Sequence, residues 1–139
     1  MRSELSERNK YRLNRFRFNE LRNFCRQYSI WKKAYHQLNN ISAEPSRYAT
    51  FCNEIKANNQ ESDPTAKLAL ALDFYSSRIK MLEDTADETD TCLGYYILRG
   101  ITEGINYDVL KARTNIPCGR NIYYLYYHKF LWILNKKRN

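Results

Sequence analysis

Arg120, Asn121, Tyr124, His128 and Lys129 fall within one short stretch near the end of this chain, and Lys136, Lys137 and Arg138 follow. The planar donor and acceptor groups of Arg and Asn match the major-groove edges of guanine and adenine. Tyr hydroxyls, Lys ammonium groups and backbone N–H groups serve phosphate oxygens. His128, between Tyr127 and Lys129, suits the same task. No acidic residue follows Asp108, so nothing beyond it repels a polyanion. The chemistry these residue types offer is recognition of a nucleic acid rather than the making or breaking of bonds.

To act together these side chains must stand on one rigid element. Asn106 can cap a short helix containing Val109, Leu110 and Ala112. The run Thr114-Asn-Ile-Pro-Cys-Gly119 then reads as a turn. In it Asn115 tolerates the left-handed backbone such a turn needs, and Ile116 plugs the angle between helices. A second helix is expected from about Gly119 to Lys136. The spacing of Ile122, Tyr126, Phe130 and Ile133 turns these residues toward the core, and Arg120, Asn121, Tyr124 and His128 project on the other side. A capped short helix, a turn and a longer helix with polar residues at its start form the layout of a helix-turn-helix. The competing reading is a plain amphipathic hairpin whose Tyr123, Tyr124 and Tyr127 pack against another protein. A contiguous exposed aromatic patch would favour that reading. A positive field over the start of the second helix would favour nucleic acid.

The rest of the chain reads as the scaffold. At 139 residues, 43% hydrophobic and 27% charged, it fits one globular domain or a domain with an extension. Four glycines and three prolines are few, which argues for helix. Leu21, Phe24, Tyr28, Trp31, Tyr35 and Leu38 recur at spacings of three and four, as one apolar stripe of a helix over 19–38. Residues 41–62 read as a connection with a short helix around 48–56. Asp63-Pro64 starts a second long helix, with a cap and then a residue that needs no donor. Its stripe is Leu68, Leu72, Tyr75, Ile79, Leu82 and Ala86. Asp84 to Asp90 reads as a solvated acidic turn. A third helix follows with Cys92, Leu93, Tyr96, Ile97 and Ile101, closed by Gly100 and Gly104. The expectation is an all-α fold in which an antiparallel pair of long helices supports a C-terminal helix-turn-helix unit. Its divisions are a basic arm over 1–16, the long-helix pair over 17–88 and the helix-turn-helix-like unit with a basic tail over 89–139.

Charge is uneven along the chain. Residues 1–35 hold ten Lys and Arg against three Asp and Glu, residues 36–105 hold six against eleven, and residues 106–139 hold seven against one. Two basic ends around an acidic middle, with a net charge of +8, favour a polyanionic partner. The polar, basic start lacks the apolar core of a signal peptide, and no stretch has the apolar length of a membrane span. Cys25, Cys52, Cys92 and Cys118 lie far apart, so they read as free thiols of a cytoplasmic protein rather than a disulfide framework or a zinc site. Asp84, Asp87, Glu88 and Asp90 lack the glycine and terminal glutamate of a calcium loop. No nucleophile–base motif or phosphate loop is present, and His36 reads as a surface or capping residue. A non-enzymatic protein without metal or cofactor is the expectation. Single-strand or RNA binding through stacked tyrosines is weaker, since no strand platform is visible.

The stretch Tyr107-x-x-Leu110 through Asn115-Ile-Pro-Cys-Gly-Arg-Asn-Ile-Tyr123 resembles the last helical pair of extracytoplasmic and related sigma factors. There a small-residue turn precedes a helix beginning Gly-Thr-Val. The arrangement of a helical N-terminal part, this pair and an aromatic, basic terminal helix is similar to small phage transcription regulators of the ArpU and RinA type. The match covers about 35 residues by motif and the remainder by layout only. Pro117-Cys118 in the turn and a tyrosine-rich second helix depart from those patterns. The resemblance implies a duplex-DNA-binding transcriptional regulator of phage or mobile-element origin, with RNA polymerase as a further partner. It places Arg120, Asn121 and Tyr124 at the major groove. The alternative is a helical protein–protein adaptor or phage structural protein.

Overall fold

Local capping explains where several of the helices start. A computed structural model describes residues 9–58 and 63–139, and the described residues form seven α-helices and no strand. The first, α1 (Arg15–Cys25), begins where the Asn14 side chain accepts from the Phe16 N–H at 2.9 Å. After a break at Arg26-Gln27, α2 covers Tyr28–Ala43. Pro45 disfavours helical backbone at Glu44 and then opens α3 (Pro45–Asn58). The Asp63 carboxylate accepts from the Thr65 N–H at 3.0 Å and opens α4 (Pro64–Thr89). Asp90 ends that helix by accepting from the N–H groups of Cys92 and Leu93 at 2.9 and 2.7 Å, which turns the chain into α5 (Gly94–Glu103). Gly94 is required here, because a Cβ would collide with the Ala86 carbonyl of α4. Gly104, with φ of 70°, closes α5 in the left-handed region. Two further helices, α6 (Tyr107–Arg113) and α7 (Arg120–Arg138), complete the chain.

The chain forms two compact units, one of residues 1–28 with 80–139 and one of residues 29–79. In the first, α5 packs on α7, α1 on both, and α6 on α5. Leu21, Cys25, Leu82, Ile97, Ile101, Leu110, Tyr123, Phe130, Leu131 and Leu134 are fully buried. In the second unit only Trp31 and Leu68 are buried among the described residues.

The all-α class holds, and several details differ from the sequence reading. The stripe over 19–38 spans two helices, since the chain bends at Arg26-Gln27. Its first half packs on α5 and α7, and pairing of two long helices is not among the main helix contacts. The contacts thus group α1 with the C-terminal helices, across the divisions drawn at 16 and 88. Residues 84–89 of the acidic run are the end of α4 rather than a loop, and Asp90 follows it. Residues 45–58 are helical throughout, beyond the short helix expected around 48–56. Of the expected frayed arm, residues 1–8 lie outside the described residues. The part that is described is ordered: Asn9 accepts from the Tyr11 N–H at 2.9 Å, and the Tyr11 ring meets Trp132 of α7 edge-on with centroids 5.2 Å apart. No helix among the described residues is long and apolar enough to cross a membrane.

Candidate nucleic-acid interface

Asn106 caps α6 by accepting from the Val109 N–H at 2.9 Å. Tyr107 then ties the start of α6 to the start of α7. Its backbone N–H donates to the Tyr124 hydroxyl at 3.2 Å, and its own hydroxyl donates to the Cys118 carbonyl at 2.5 Å. Ile116 is buried in the angle between the helices, as its place in the turn suggests. The turn needs no left-handed residue at Asn115, because the only positive φ among the described residues is at Gly104. Thr114 and Gly119 are extended instead. These two hydrogen bonds link the starts of the two helices.

The orientation of α7 differs from the expected one. Tyr123, Tyr124, Tyr127, His128, Phe130, Leu131 and Leu134 face inward, while Ile122 is 47% exposed and Tyr126 and Ile133 are half-buried. The helix is rotated by one residue, about 100°, from the face the spacing suggested. The reason is chemical. Tyr124 finds a backbone donor inside, and His128 stacks on Phe18 of α1 with ring centroids 4.9 Å apart. Tyr124 and His128 are therefore interior side chains rather than outward-projecting ones.

The basic residues divide into engaged and outward-facing. Arg120 holds Asp108 with both carboxylate oxygens, at 2.6 and 2.7 Å. Lys137 pairs with Glu88 of α4. Arg138 lies 3.9 Å over the Phe24 ring of α1, and Lys136 lies 3.6 Å over Trp132. Lys137 and Arg138 thus tie α7 to α4 and α1, while Lys136 is exposed over a ring of its own helix. Asn121 is exposed, and Lys129 is half-buried with its ammonium group 5.5 Å from the Tyr126 ring centre. Lys111, Arg113 and Asn115 are exposed on α6 and the turn. Arg113 approaches Glu103 at 3.8 Å.

Protein-family models, curated proteins and solved structures yield no match to the chain. The site therefore stands on its own geometry. Among the described residues, no group of three His, Cys, Asp or Glu is placed to hold a metal ion.

Two residues outside the expected set also reach this region. Arg22 and Arg26, four apart at the end of α1, line a cleft with Asn106, Arg120, Tyr124 and Tyr127. Their spacing was visible as one helical face, but its proximity to α7 was not. Burial pushes the Tyr123 and Tyr127 phenols upward, so both stay neutral and hold no charge against an anion.

Proposed function

We propose that this protein binds duplex DNA through α6, the turn and the outward face of α7, as a small transcriptional regulator of the phage type that the layout of its sequence resembles. The observation that supports the reading is a capped short helix and a turn leading into a second helix that contains no acid, with Asn121 exposed and Lys129 half-buried on it. Lys111, Arg113 and Asn115 extend the same polar, basic surface on α6 and the turn. Asp108 is the one carboxylate of the segment, and Arg120 neutralises it. The adaptor reading loses its main support, since Tyr123, Tyr124 and Tyr127 are interior and form no exposed aromatic patch.

With Tyr124 and His128 interior, Asn121 is the exposed residue left for base readout on α7, with Lys129 on phosphate. Arg120 engages Asp108 through one terminal nitrogen and has other donors left to join. Enrichment of a random duplex pool tests this. The wild-type protein should recover a preferred site. Asn121→Ala should bind that site more weakly by about 1–3 kcal/mol and bind random duplex almost unchanged. Equal loss on both would make Asn121 a phosphate contact. No enrichment would remove sequence-specific readout.

A further inference from the structure

The cleft beside α7 has a chemistry of its own. It encloses about 360 Å³ where α1, α5, α6 and α7 meet. Three guanidinium side chains line it, those of Arg22, Arg26 and Arg120, together with Asn106 and two tyrosines, and none of its lining side chains is acidic. Arg26 is fixed there, since its Nε donates to the Ile101 carbonyl at 3.0 Å. Its guanidinium lies against the bare Cα of Gly104, where a Cβ would collide with it.

The second observation is at Arg22. Its Nε is sealed from solvent and has no hydrogen-bond acceptor. That N–H is closed even to a water molecule, so an anion in the cleft would meet the terminal nitrogens of Arg22 rather than its Nε. Guanidinium groups bind tetrahedral oxyanions through paired N–H donors, and a phosphate offers both the charge and the several acceptors that three of them require. We propose that this cleft seats a phosphate group. The inference does not depend on the duplex-binding reading. Such a group belongs either to a nucleic-acid backbone or to a free phosphorylated molecule. Asp108, held by Arg120, acts as an internal competitor for one of the three cations.

Inorganic phosphate is the probe, titrated into the full-length protein at constant ionic strength against chloride. Amide resonances of Gly104, Asn106 and Tyr107 report the cleft, and melting temperature reports binding overall. Phosphate should shift those resonances saturably and raise the melting temperature, while chloride does neither. Arg22→Gln should weaken phosphate by about tenfold or more. Asp108→Asn should act oppositely and tighten it, because Arg120 is released to the cleft. That second variant keeps the test decisive if Arg22→Gln fails to fold. Duplex DNA that displaces phosphate identifies a backbone phosphate as the natural occupant; phosphate that stays bound in the presence of DNA identifies a free phosphorylated ligand. Either outcome supports the site. A response no different from chloride, or one that Asp108→Asn leaves unchanged, overturns it.

Discussion

Tyr123 carries a hydroxyl sealed within the helix packing without a hydrogen-bond partner, and it rests where a side chain on Gly100 would have to go. Gly100→Ala should therefore lose about 1–3 kcal/mol through overpacking. Tyr123→Phe should be within about 1 kcal/mol of wild type, since it removes an unpaired polar atom along with its bulk. The double variant should recover most of the Gly100→Ala loss, and urea unfolding of the four proteins measures this. Additive losses would mean that the hydroxyl and Gly100 do not meet. Cys25 tests the same core by titration. Burial pushes its thiol up to about 12, against smaller opposing effects of Arg138 and Arg26. The unfolded thiol ionises near 9.0. Between those values the unfolded chain has lost a proton that the folded chain keeps, so stability falls as pH rises. Unfolding free energy should decline from about pH 9 upward. Cys25→Ala should reduce the slope, and a slope it leaves unchanged would place the effect elsewhere. In the native protein near neutral pH, exposed Cys92 should react with a thiol reagent well before buried Cys25.

Gly119 shows how an element's end sets its stability. It stands at the cap of α7 without a side-chain hydrogen bond, with φ of −84° and open space around its Cα. Gly119→Ser should then supply a cap and raise stability by about 0.5–1 kcal/mol. Lower stability would show that the turn needs the glycine after all. Helix starts of this kind were legible in the sequence where a cap acts on its own neighbours, as at Asn106 and at Asp63-Pro64. The inward face of α7 was not legible. Ile122, Tyr123, Tyr124, Leu125, Tyr126 and Tyr127 place apolar or aromatic side chains around the whole circumference, so spacing alone gives no unique phase. Partners on other elements, Tyr107 and Phe18, select the phase observed. The break at Arg26-Gln27 was hidden for a similar reason, because the apolar stripe continues across it. The roles of Lys137 and Arg138 depended on Glu88 and Phe24, which only the fold brings near.

Two basic helices, α1 and α7, pack together in one compact unit. Bringing like charge together opposes folding, and the burial of Leu21, Cys25, Phe130, Leu131 and Leu134 offsets it. Ion pairs and cation–aromatic contacts absorb part of that charge, including Arg17 with Glu20, Lys137 with Glu88 and Arg22 over Phe18. What remains is a basic surface on α6 and α7 beside a guanidinium-lined cleft, an arrangement that suits a polyanion more than a neutral protein partner. The most direct test is the salt dependence of affinity for random duplex DNA, comparing the wild type with Lys111→Ala, Lys129→Ala and Lys137→Ala. Affinity should fall steeply with salt for the wild type. The slope should lessen by about one for each of Lys111 and Lys129 and change little for Lys137, which Glu88 already holds. A wild-type affinity indifferent to salt, or a slope that neither Lys111→Ala nor Lys129→Ala alters, would contradict duplex binding through this face.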